Sequence, residues 1–190
     1  MASESIDILE RTLDQLGSLI DRVGPDQLSD ATPCRSWNVA ELLDHILADL
    51  PPFIEAANGG TADWTVERKS VAPGWAAAFH ARANELLSAW GDPARRADAK
   101  TDADAQSLQI SEFSVHSWDL AAALDRTQDL DQGVAEYAAG RLAAALVPEY
   151  RGAEDDGKMF GPIVTVADDA PAYDRLAGIA GRDPHWSRRG

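Results

Sequence analysis

The chain has 190 residues, 45% of them apolar, and its 32 acidic against 17 basic side chains set a formal net charge of −15. That length holds one domain, or one domain with an appendage, and the composition is that of a globular chain with a core rather than of a disordered one. The acidic excess argues against nucleic acid or an anionic membrane as partner, since both need a basic face, and the one cysteine, Cys34, excludes an intramolecular disulfide framework.

Ile6, Leu9, Leu13, Leu16, Ile20 and Val23 step by three and four in alternation, which predicts a first helix with a narrow bundle-type seam. Ser3 or Ser5 is placed to cap it and Gly24-Pro25 to end it. The N-terminus has no basic segment leading into an apolar run, and no stretch approaches the ~18 apolar residues of a membrane span, so the expected compartment is the cytoplasm.

A polar connection, Asp26 to Ser36, holds Thr32-Pro33-Cys34. Asn38 then reads as an N-cap with Glu41 in the capping-box position, and Trp37 ahead of it as a hydrophobic staple. The second helix buries Val39, Leu42, Leu43, Ile46 and Leu50, and Pro51-Pro52 is expected to break or kink it before Phe53 and Ile54. His45 borders this stripe, and alone it reads as an ordinary hydrogen-bonded histidine at a core edge.

Gly59-Gly60 opens a loop through Asp63 and Trp64, and Pro73-Gly74 marks the start of a third helix. Its stripe is Trp75, Phe79, Ala83, Leu86, Leu87 and Trp90; His80 sits at the edge as a structural or solvated residue, and Gly91-Asp92-Pro93 ends the helix. Residues 94–105, rich in Ala, Asp, Arg and Lys without apolar periodicity, are expected to form a long loop. A helix from about Ala105 to Asp125 follows, then a fifth, Ala-rich helix from Val134 to Val147 ended by Pro148.

The tail changes character. Arg151 to Lys158 is charged, Phe160 to Val166 is the β-branched run and predicts an extended segment or short edge strand, and Pro171 to Ala180 predicts a short helix. The last four residues are expected to be disordered. The fold class is therefore all-α: a helical bundle over residues 1–150, with an additional helix, and an irregular extension over 151–190 packed on it rather than an independent domain.

The stretch Ile110 to Leu124 (ISEFSVHSWDLAAAL) is the unusual one. Leu108, Val115, Leu120 and Ala123 recur at helical spacing, and Glu112 and His116, four apart, share the face these residues define. A carboxylate aimed into a core is costly unless something neutralises it. An intrahelical Glu–His hydrogen bond at a partly wet groove would do so, and so would a metal ion with His116 as a second ligand; on these residues alone both readings stand. Counted with His45 they make two imidazoles and a carboxylate, a set that leaves positions for water or substrate, whereas a closed structural zinc site takes four ligands, often cysteines. Zinc suits the set best, with Fe2+, Ni2+ or Mn2+ as alternatives.

The stretches TPCRSWNVAELLDHIL and SEFSVHSWDLAAAL resemble the metal-binding domain of mycothiol-dependent maleylpyruvate isomerase, a member of the DinB-like group of four-helix bundles. The tail FGPIVTVADDAPAYDRLAGIAGRDPHW resembles the C-terminal piece of a compact, uncharacterised branch of that group. The resemblance implies that the histidine of the first motif, His45, and the glutamate and histidine of the second, Glu112 and His116, bind a divalent metal. It also implies a small-molecule thiol such as mycothiol as cosubstrate and an electrophile as substrate. The isomerase has a larger separate C-terminal domain that contributes to its active site, which residues 151–190 do not match, so isomerase activity is not carried over.

Asp119, three after His116, is placed to accept a hydrogen bond from an imidazole, or to be a solvated aspartate. Asp44 points about 100° away from His45 on the helix and is discounted. Cys34 reads as a packing residue rather than an activated thiol, and Trp37 and Trp118 as core. Arg175 or Arg182 could hold an anionic substrate over the metal, or pair with neighbouring carboxylates. The function expected is a metal-dependent thiol S-transferase or isomerase-like enzyme; a non-catalytic metal- or small-molecule-binding protein and a metal-dependent hydrolase are the alternatives. A homodimer is compatible with a bundle.

Overall fold

In the computed structural model the seam of the first helix, α1 (Ala2–Ile20), buries Leu9, Leu13, Leu16 and Ile20 along one side. Residues 2–65, 70–92, 94, 99–152, 158 and 160–188 are described. α2 (Val39–Ala57), α3 (Trp75–Gly91) and α4 (Ala99–Ala123) complete a ring: α1 packs on α3 and α4, and α2 packs on the same two. α5 (Gln132–Ala145) lies on α4 and α1, and the short α6 (Ala172–Ile179) on α5 and α4. Among the described residues the structure is all-helical, with two isolated β-bridges, Ala31–Asn38 and Arg151–Phe160. No helix among them is long and apolar enough to cross a membrane.

α2 starts where its capping box requires. Asn38 Oδ1 accepts from the Glu41 N–H and Glu41 Oε2 from the Asn38 N–H, both at 2.9 Å, which satisfies two donors that the helix leaves open. Of the expected break or kink at Pro51-Pro52, the break does not occur: α2 runs on to Ala57. Phe53, Ile54 and Ala57 are buried in the core, and Phe53 meets Phe113 of α4 edge to face at 5.5 Å. That burial offsets the loss of two backbone donors.

α4 departs most from expectation. It begins at Ala99, so residues 99–105 are helix and not loop; 95–98 lie outside the described residues. Asp102, Gln106 and Ser107 are buried, and Ser5 of α1 donates to Gln106. Polar contacts thus hold this part of the helix, Ser5 of α1 on Gln106 and Tyr137 of α5 beside Ser107 at 3.1 Å. Further on, burial is not confined to a stripe. Ile110, Phe113, Ser114, Ser117, Trp118, Asp119, Leu120 and Ala121 are all 0–1% exposed, while Leu108, expected on the inner face, is 56% exposed. α4 is the central helix, enclosed by α1, α2, α5 and α6.

The tail is joined to the bundle by close backbone contact. Residues 160–166 form no strand; beyond the Phe160 bridge they run beside α6, with the Val164 N–H donating to the Gly178 carbonyl at 3.0 Å. Gly181 has φ +78°, and a Cβ on it would lie 2.6 Å from the Gly161 backbone, so only glycine fits. The expected disorder of the last four residues fails at Arg188, which pairs with Asp30 at 2.5 Å and Asp125 at 3.4 Å; residues 189 and 190 lie outside the described ones, as do 153–157 of the charged stretch.

Candidate metal centre

The loop before α2 is folded onto its first turn. The buried Thr32 hydroxyl bonds the carbonyls of Cys34 and Trp37 (2.9 and 2.7 Å), and the N–H groups of Val39 and Ala40 donate to Asp30 and Leu28. This places the Trp37 indole flat on the His45 imidazole, with centroids 4.1 Å apart and planes 29° from parallel. α4 faces α2 here and presents Glu112 and His116, one turn apart.

The three side chains converge on one point. His45 Nε2 lies 3.0 Å from His116 Nε2 and 3.3 Å from Glu112 Oε1, and His116 Nε2 lies 3.0 Å from the same Glu112 oxygen. Among the described residues they form a group of ligand atoms close enough to hold one cation. Atoms each about 2.0–2.2 Å from a single ion, at octahedral or tetrahedral angles, stand roughly 2.8–3.6 Å apart. The observed spacing therefore fits three ligands of one metal, and the N2O donor set is of the kind that takes zinc or another borderline divalent ion.

Behind this cluster the support is asymmetric. His116 Nδ1 donates to Asp119 Oδ2 at 3.0 Å, which puts a proton on Nδ1 and leaves Nε2 to face the centre. Asp119 is fully buried, and its two oxygens accept from Arg182 Nε (3.2 Å) and Nη2 (3.0 Å). Asp49, one turn beyond His45 and also buried, brings Oδ2 to 3.3 Å from His45 Nε2.

The charges follow from these contacts. Burial alone would raise the Glu112 carboxyl, but His116 and then His45 hold it well below the usual range. Burial would lower His116, yet Glu112 and Asp119 raise it to about 9. Burial disfavours the Asp119 carboxylate, and the pairing with Arg182 and His116 outweighs it and lowers its pKa. An imidazole proton shared among these contacts would compensate the Glu112 carboxylate, and so would a metal ion in its place.

His45, Glu112 and His116 thus come together, with Asp119 against His116. Arg182, a candidate for holding substrate, instead spends Nε and Nη2 on Asp119 and Nη1 on the Ala180 carbonyl. Arg175, the other candidate, pairs with Glu136 of α5 and the carbonyls of Asp168 and Ala170. His80 pairs with Asp21 at 3.0 Å on the surface, and Asp44 accepts from the Trp75 indole at 2.7 Å. Cys34 is partly buried in the loop before α2. Sequence reasoning missed Asp49 and the stacking role of Trp37. Asp49 carries a readable signal, since it follows His45 by the same four residues that separate Glu112 from His116.

No model of a known protein family matches the chain, and no solved structure matches it. It is similar to "Uncharacterized protein Rv0738" and to "Uncharacterized protein MT0763", from two strains of Mycobacterium tuberculosis. Each is 30% identical over 186 residues, which covers 91% of this chain and 94% of the relative. Similarity of that extent places the chain in one family with these uncharacterized Mycobacterium tuberculosis proteins.

Proposed function

We propose that this chain is a divalent-metal-binding protein of the DinB-like bundle group, and that it activates a small thiol of the mycothiol type for S-transfer to an electrophile. The observation that carries the reading is the convergence of His45 Nε2, Glu112 Oε1 and His116 Nε2 between α2 and α4 at the spacing of three ligands on one ion. Zinc fits this donor set best, with nickel, iron and manganese compatible. Three protein ligands leave room for an outside one. A bound divalent ion lowers the pKa of a thiol that joins it, which supplies a thiolate at neutral pH.

The residues around the donors divide the work. His45 and His116 are almost enclosed, while the Glu112 side chain is 24% exposed, so the outside ligand approaches past Glu112. Trp37 stacks on one face of the His45 ring. Asp119 holds the His116 proton on Nδ1.

Metal-assisted hydrolysis is the second reading, and Asp49 favours it. A second buried carboxylate beside the donors is what such an enzyme uses to take a proton from water. The two readings separate in one assay. Zinc-reconstituted protein is given mycothiol and a panel of electrophiles, beside His116→Ala. The expected result is thiol-dependent loss of electrophile by the wild type and none by the variant, which keeps its helical circular dichroism because the apolar core does not depend on the ion. Electrophile loss without thiol would favour hydrolysis. No turnover by metal-loaded wild type would leave a non-catalytic metal-binding protein.

A further inference from the structure

The route that brings Arg182 to Asp119 is built by several independent features. α6 is seated by Tyr173, whose N–H donates to Gln132 Oε1 and whose hydroxyl accepts from Gln15 of α1. The helix ends in a Schellman cap: the Arg182 N–H donates to the Ala177 carbonyl at 2.9 Å and the Gly181 N–H to Gly178 at 3.1 Å, with Gly181 left-handed. The backbone contact of Gly181 with Gly161 fixes the turn from outside. Arg188 then ties the chain beyond to Asp30 and Asp125. Between these anchors the guanidinium points inward, its side chain 10% exposed, and grips both oxygens of a carboxylate that is itself wholly buried.

We propose that Arg182 is a positioning residue for His116, and that through it the C-terminal segment after α6 is part of the metal centre. A guanidinium fork engages a carboxylate in one plane through two parallel bonds. With both Asp119 oxygens held, Oδ2 has one direction left to serve, and it serves His116 Nδ1. The imidazole is thereby oriented with Nε2 toward His45 and Glu112. A lysine in place of Arg182 would keep the charge but hold only one oxygen. Such outer partners of ligating histidines typically change metal affinity by about 10- to 100-fold when removed.

The positioning of His116 stands on the geometry of Arg182 and Asp119 alone; the effect on affinity rests on the metal reading above. Two measurements keep them apart. The first is hydrogen exchange of the His116 Nδ1–H, followed by 15N-edited NMR in metal-free wild type, Arg182→Lys, Arg182→Met and Asp119→Asn. The second is zinc affinity of the same proteins by competition with a chelating dye. The expected result is a slowly exchanging Nδ1–H in wild type that exchanges at least about tenfold faster in the Arg182 variants. Zinc affinity should fall by about 10- to 100-fold in Arg182→Met and Asp119→Asn and be restored only in part by Arg182→Lys. Full restoration by lysine would overturn the fork and leave charge alone. Wild-type exchange and affinity in a folded Arg182→Met would overturn the whole proposal; should that variant not fold, the same result in Arg182→Lys would do so. Loss of exchange protection in the variants, with no zinc bound even by wild type, would uphold the positioning of His116 while removing the metal reading.

Discussion

At the scale of single residues, the centre is a problem of compensating buried charge. Glu112, Asp119 and Asp49 bring three carboxyl groups into a region where their partners are His45, His116 and Arg182. Removing one partner of such a set leaves the others uncompensated, at a typical cost of several kcal/mol. Tyr173 shows the same physics on a phenol. Burial pushes its hydroxyl up to about 12, against 10.0 for an ordinary tyrosine. The sign follows: the folded state keeps the proton longer than the unfolded one, so this stabilisation is complete below about pH 10 and is lost as pH rises toward 12. The shift corresponds to roughly 2–3 kcal/mol. Urea titrations between pH 9 and 12 should show wild type losing that much more than Tyr173→Phe, with equal slopes against pH contradicting it.

At the scale of elements, legibility tracked whether a helix has a dry side and a wet side. α1 and α2 each bury one stripe, and that stripe, the Asn38–Glu41 box and the Pro-Gly punctuation are all written in local sequence. α4 has no wet side through its centre, so periodicity carried little there. Leu108 misled because its partners were inferred from spacing, while the structure turns it to solvent. Residues 99–105 read as loop because their helix is held by a polar seam, Ser5 to Gln106, which no apolar pattern announces. The trio His45, Glu112 and His116 was legible because charge on a buried face stands out. Asp49 was not, because an aspartate ahead of two prolines looks like a helix end. The Arg182–Asp119 pair spans 63 residues and is invisible to any local reading. At the Schellman turn, Gly181→Ala should lower stability by more than about 1 kcal/mol, since a Cβ there meets both a left-handed φ and the Gly161 backbone. An unchanged melting temperature would show that this contact does not hold the tail.

At the scale of the whole molecule, the ring of α1 to α4 supplies a core that does not need an ion, and α5, α6 and the tail close around α4. The centre sits between α2 and α4, where two helices from distant parts of the chain each contribute a pair of polar residues one turn apart. The fold can thus be judged apart from the metal, and the metal apart from the fold. The most direct test of the account is the metal content of the purified protein, wild type beside Glu112→Gln, each measured again after zinc is added and excess removed. Close to one ion per wild-type chain is expected and a large loss in the variant, with helical content equal in both. Wild-type protein that holds no metal after zinc addition would contradict it.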